Sequence, residues 1–207
     1  MRLQLLLLSA IGLMGVVCLA QNPRPKPKVS DQPLTPEQVA IYRVALKDYL
    51  KDSGDALNVS STTEPFEYSK PFFHEECLGG IELEKPDAAA QVIHRLGLDV
   101  LINPKVVLVE PEQQRAKIRK NDPQNLVKKV VDEGEAVSDK QVEESVKLAF
   151  ATGMFSLSEI LIDKAHQHAV VSYAFDCGDL CGNGRILLLE RTGEGWKVKN
   201  TCGEWVS

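Results

Sequence analysis

Apolar positions along this chain change their period once the first two-thirds are past. Between Pro36 and Leu50, Val39, Tyr42, Leu46, Tyr49 and Leu50 recur at helical spacing, whereas from Phe155 onward apolar and polar residues alternate in twos. The first stretch opens with Thr35, Pro36 and Gln38: an N-cap, a first-turn proline and a capping-box partner. A helix is therefore predicted through about Leu50, closed by Ser53-Gly54.

"ALNVSSTTEPF" then alternates weakly and is rich in serine and threonine, which predicts an edge strand ending at Pro65. A short helix is expected from Pro86 or Asp87 to Gly97, and the double glycine after Cys77 marks a loop. "NPKVVLVE" reads as a short strand buried on both faces. Helices follow on either side of "NDPQ", where Asp122 caps and Pro123 begins the second. A third follows Ser138 with its partner Gln141, turning Val142, Val146, Ala149 and Phe150 inward before Gly153 stops it.

Four runs of period two complete the chain: "FSLSEILI", "HAVVSYAF", "RILLLE" and "WKVKNTCGEWVS", separated by turn-forming stretches. That spacing is an antiparallel meander. The expected fold class is α+β, with N-terminal helices packed on one face of a C-terminal four-stranded antiparallel sheet. Ala169, Val171, Tyr173 and Phe175 would share the helix-covered face, joined by Trp196 and Val198.

The N-terminus changes the picture of where this fold works. "MRLQLLLLSAIGLMGVVCLAQ" carries Arg2, an apolar run and a small Ala20, so residues 1–20 read as a secretory signal peptide cleaved before Gln21. Ser9 and Gly12 break the run, and no transmembrane segment is expected in the mature chain. Lipidation at Cys18 is the second reading, disfavoured by the bulky Val17 before it. Residues 21–34 are proline-rich and polar, a solvated linker, and residues 35–207 form one domain. Without Arg2 the 24 basic residues become 23 against 29 acidic, a balance of −6, and no nucleic-acid partner is expected.

An exported chain with Cys77, Cys177, Cys181 and Cys202 meets an oxidising compartment, where an even set of thiols reads as disulfides. Of three pairings, Cys177 with Cys181 is preferred, because the glycine-rich turn "DCGDLCGNG" brings neighbouring strands together; Cys77 then pairs with Cys202. A zinc-binding module competes, with His74 and Cys77 of "HEEC" completing a set with Cys177 and Cys181. Asp176, Asp179 and Asn183 form a candidate binding loop with oxygen ligands, although acidic residues in turns mostly cap backbone groups.

Candidate catalysis is thin. His74, Glu75 and Glu76 form an acid/base cluster that an envelope hydrolase would use, but "HEEC" lacks the second histidine of a zinc-protease motif. His94 is expected on a helix face without a partner, and His166 and His168 beside an exposed turn. Trp196 and Trp205 read as core residues before they read as a ligand platform. Asn58-Val59-Ser60 is a glycosylation sequon. No cofactor is implied, and the catalytic set is empty.

The stretch from Leu157-Ser158 through Cys177-Gly178, Cys181-Gly182 and Gly195-Trp196 to Trp205 and Ser207 resembles the C-terminal signature of a family of uncharacterised secreted bacterial proteins. "IYRVALKDYL" is a weaker echo of the same family. The resemblance implies a secreted bacterial protein and the terminal sheet, and it assigns no catalytic residue. The functional expectation is a secreted or periplasmic module, non-enzymatic and disulfide-stabilised, that binds a protein or an envelope component.

Overall fold

The structure, a computed structural model, describes residues 27–52, 56–67, 73–84 and 92–207. The expected signal peptide, Cys18, the first part of the expected linker and the start of the expected helix at Pro86 lie outside the described residues.

Helix α1 spans Pro36–Tyr49 and starts as its sequence requires. Thr35 Oγ1 accepts from the Gln38 amide at 3.2 Å, and Gln38 Oε1 accepts from the Thr35 amide at 2.8 Å, closing the capping box. Ile41, Tyr42, Ala45, Leu46 and Asp48 are its buried residues, a stripe at helical spacing laid on the sheet.

That sheet is larger and more mixed than the expected meander. Strands β2 (Leu57–Ser60), β4 (Val106–Val109), β5 (Met154–Leu157), β6 (Leu161–Ile162), β7 (His168–Gly178), β8 (Cys181–Thr192) and β9 (Gly195–Val206) make seven strands, in the order β4-β2-β5-β7-β8-β9 with β6 also on β7. β7, β8 and β9 form the antiparallel meander, but β2 pairs in parallel with both β4 and β5. The four-stranded antiparallel sheet is therefore corrected to a seven-stranded mixed sheet, still within an α+β arrangement. Parallel pairing needs a long crossover. Helices α2 (Pro111–Asn121), α3 (Gln124–Glu133) and α4 (Asp139–Thr152) supply it between β4 and β5.

Several local expectations change for the same reason. β2 is interior rather than an edge, and β4 is the edge of the sheet's order, which leaves Val107 46% exposed instead of buried. "FSLSEILI" is split into β5 and β6 at Ser158, whose Oγ accepts from the Ser172 amide at 2.9 Å. Residues 92–97, expected to end a helix, instead hold β3 (Val92–Ile93), which pairs in parallel with β1 (Lys28–Val29). Ser138 and Gln141 do cap α4, yet Val142, Val146 and Phe150 stay exposed and only Ala149 of that stripe reaches the core. α4 packs on α2 and also meets β7, where Phe150 stacks on Phe175 with ring centroids 6.1 Å apart.

The alternation in β7 sorts the interior into two cores. Ala169, Val171, Tyr173, Phe175 and Cys177 face α1, together with Leu187 and Leu189 of β8, and Trp196 and Val198 pack at that margin. Val170, Ile186, Leu188 and Cys202 face the opposite side. There Phe66, Phe73, Cys77, Leu78, Ile81 and Leu83 cover them. The described part of this cover holds one 3-10 turn, Glu75–Leu78, followed by Gly79 and Gly80, both at positive φ (58° and 87°).

Candidate functional site

The cysteines fall into two pairs at disulfide distance, one per face of the sheet. Cys77 and Cys202 have Cα atoms 5.4 Å apart and fasten the cover segment to β9; Cys177 and Cys181 have Cα atoms 5.0 Å apart across the β7–β8 turn. Two such pairs fit an oxidising environment. The zinc set of His74, Cys77, Cys177 and Cys181 does not converge, since Cys77 belongs to the core on one side and Cys177 and Cys181 to the other.

Within the turn, groups of the candidate binding loop make local hydrogen bonds. Asp176 Oδ1 accepts from the Gly178 amide at 3.1 Å. The Asp179 amide donates at 2.9 Å to Oδ2 of Asp122, whose Oδ1 accepts from the Gln124 amide at 2.8 Å. Asp122, 8% exposed, thus joins the cysteine turn to the start of α3. Asn183 leaves the loop and hydrogen-bonds Tyr49 of α1. No group of three or more His, Cys, Asp or Glu side chains that could hold a metal ion occurs among the described residues.

The glycines of "CGNG" serve Trp205. A Cβ on Gly184 would stand 2.5 Å from Trp205 Nε1 and 2.7 Å from the Tyr173 carbonyl oxygen; one on Gly182 would stand 3.3 Å from the same indole. Trp205 pairs with Gly184 in the β8–β9 register, while Glu204 pairs with Arg185. Successive residues of a strand point to opposite faces. The indole therefore lies over the glycine face, away from the side chains of Arg185 and Glu204, and packs on Gly182 and Gly184.

On the face turned toward α1, beside that indole strand, the molecule is concave. A cavity of 710 Å³ is lined by Asp48, Tyr49 and Lys51 from the end of α1, by Tyr173 of β7, and by Asn183 to Arg185 and Glu204 to Val206 of β8 and β9. Its volume lies within the range of about 300–1,000 Å³ usual for small-ligand sites. Asp48 forms the floor, its side chain only 4% exposed. Tyr173 Oη donates to Asp48 Oδ2 at 3.1 Å, Lys51 Nζ reaches Oδ1 at 2.6 Å, and Arg185 Nη1 stands 3.7 Å from Oδ2. Glu204 meets Arg185 Nε from the rim at 3.4 Å.

Burial, then the Asp48 charge, push the Tyr173 phenol well above its usual pKa, although Arg185 opposes the shift. Tyr173 is therefore a neutral donor to Asp48. Burial also raises Tyr49, against the Asn183 hydrogen bond. The Arg185 pKa is raised, first by Tyr173 and then, against the cost of burial, by Asp48 and Glu204, so the guanidinium stays charged. The wall holds two cations and two carboxylates around two phenols.

Other predicted residues lie elsewhere. His74 is exposed on the cover segment, where its amide donates to the Cys202 carbonyl at 2.9 Å, and Glu76 is exposed beside it. Neither lines the cavity. The expectation of a partnerless His94 fails: its Nδ1 lies 3.0 Å from Glu159 Oε2, and Thr63 Oγ1 donates to the same carboxylate. His166 Nδ1 meets Glu37 at 2.9 Å and His168 Nδ1 meets Asp163 at 3.1 Å. Asn58 Nδ2 donates to the carbonyls of Ala151 and Gly153 at 3.1 and 2.9 Å, which ties the sequon side chain to the end of α4.

Sequence reading missed Asp48, Lys51 and Arg185 as a group. The one local signal was a carboxylate at the buried end of α1, one turn on from Val44 and Ala45, where an apolar residue would otherwise be expected. Among the described residues no helix is long and apolar enough to cross a membrane. Comparison of the chain with protein-family models, with curated proteins and with solved structures finds no match.

Proposed function

We propose that the chain is an exported, non-enzymatic binding module that holds a small polar ligand in the Asp48 cavity. The observation that carries this reading is a buried carboxylate on the floor of an open 710 Å³ cavity, with Lys51 and Arg185 arranged above it. Buried charge is costly unless it is paired, and a concave site with a few convergent polar groups is the usual form of a ligand pocket. Both stretches that carry the family resemblance supply its walls: Asp48 and Tyr49 from "IYRVALKDYL", and Asn183 to Arg185 with Glu204 to Val206 from the terminal signature. The signal-peptide-like N-terminus and the paired cysteines support an extracellular or periplasmic setting, and envelope components are the ligand source this implies.

The hydrolase reading draws no support from this site, because His74 and Glu76 ride on the segment covering the opposite face. The test is a two-dimensional NMR screen of the mature chain against a panel of small envelope-derived sugars, amino acids and short peptides. Ligands should shift the Asn183, Gly184 and Arg185 amides saturably, and Asp48→Asn should weaken that response. Shifts confined to residues away from the cavity would reject the reading.

A further inference from the structure

We infer that the cavity recognises a carboxylate, and that Glu204 occupies the place on Arg185 that the ligand's carboxylate takes. The inference rests on the cavity being a binding site. Arg185 is the one wall residue that touches both carboxylates, yet it is fully engaged by neither: 3.7 Å to Asp48 and 3.4 Å to Glu204. A guanidinium that is saturated by a carboxylate makes parallel bonds of about 2.7–2.9 Å. The Arg185 charge is held in place with the Tyr173 hydroxyl as a neighbour, while neither carboxylate makes that paired geometry.

The two carboxylates differ in permanence. Asp48 is 4% exposed and is fixed by Lys51 and Tyr173 as well, so it cannot leave without stranding a buried charge. Glu204 is 68% exposed at the rim, where it pairs with Arg185. Exposed pairs of this kind contribute little to stability. A ligand carboxylate that meets Arg185 squarely gains charge-assisted hydrogen bonds, and Glu204 loses almost nothing by turning to water. Lys51, 63% exposed on the other side of Asp48, adds a second positive charge near the same opening. With Glu204 swung out, Asp48 alone faces the two cations, and the cavity carries one net positive charge.

Two chemical sources offer such a group in an envelope: an acidic sugar and a peptide C-terminus. Matched pairs separate them. N-acetylmuramic acid and N-acetylglucosamine share a ring and differ by the lactyl carboxylate; N-acetyl-alanyl-alanine and its C-terminal amide differ by the terminal charge. Each is titrated into the mature chain with the Asn183–Arg185 amides as the readout. The acid of at least one pair should bind about tenfold or more tightly than its neutral counterpart, and the pair that responds names the source. Glu204→Gln should tighten that acid several-fold, Arg185→Gln should abolish the preference for the acid, and Glu194→Gln, the same charge change in the β8–β9 turn, should leave affinity unchanged. Equal binding of acid and neutral partners, or an unchanged affinity in Glu204→Gln, overturns the inference while leaving the cavity a binding site. Silence from all four probes overturns it too, and the wider screen then decides whether the cavity binds at all.

Discussion

Removing the Cys77–Cys202 bridge should cost far more than removing Cys177–Cys181, and the difference follows from chain separation. The two bridges close loops of 125 and 4 residues. In the chain-entropy account, each bridge restricts the unfolded chain by an amount that grows with the logarithm of loop length, giving about 5 kcal/mol for the long loop and about 2 kcal/mol for the short one. The comparison is cleanest with double variants, Cys77→Ala/Cys202→Ala and Cys177→Ala/Cys181→Ala, which leave no unpaired thiol. For a chain of this size, 1 kcal/mol moves Tm by about 2–4 °C. The long-bridge variant should therefore melt about 10–20 °C lower and the short-bridge variant about 4–8 °C lower. A second consequence separates this account from a generic loss of stability. The long bridge is the covalent fastening of the segment carrying Phe66, Phe73, Leu78, Ile81 and Leu83 over Val170, Ile186 and Leu188. Without it, amides near Cys77 should exchange faster than those of the β7–β8 pair even under native conditions. Paired thermal melts and hydrogen exchange decide the matter. Equal losses in the two variants, or a larger loss for Cys177/Cys181, would refute the reasoning.

Gly184→Ala should destabilise by about 1–3 kcal/mol in urea titration, because its Cβ meets both Trp205 and the Tyr173 carbonyl, which belongs to backbone that cannot swing aside. Gly193→Ala, with open space around it, should be close to neutral. Asp122→Ala should cost about 1–3 kcal/mol and speed amide exchange at both Gln124 and Asp179, since one carboxylate serves both. Burial pushes the Asp163 carboxyl up, but hydrogen bonds from His168 and Gln167 outweigh it and its pKa is lowered. A lowered folded pKa means the stabilisation is present above the unfolded value of about 3.9 and is lost as pH falls through the folded value. Asp163→Asn should therefore be less stable than wild type at neutral pH, and the gap should close in acid; a gap that widens below pH 4 would reverse the sign.

What the sequence determined by itself is everything that depends on near neighbours. Thr35 with Gln38 and Ser138 with Gln141 cap their helices through contacts three residues apart, so the two starts are written locally. The β7–β8–β9 meander follows from period-two alternation and short turns, and the glycine-rich turn between Cys177 and Cys181 foretold their pairing. The tertiary structure alone decided what joins over long separations. Leu57 and Val106 pair in parallel across a crossover, and neither run carries a mark of its partner, so an interior strand read as an edge and an edge strand read as buried. The inward pattern of Val142 and Val146 went unused because amphipathicity states which face wants cover, not whether the sheet lies beneath it. His94 found Glu159 at a separation of 65 residues, and Tyr173 found Asp48 at 125. Side chains converge on a cavity in three dimensions, and a one-dimensional pattern records only the elements that bring them there.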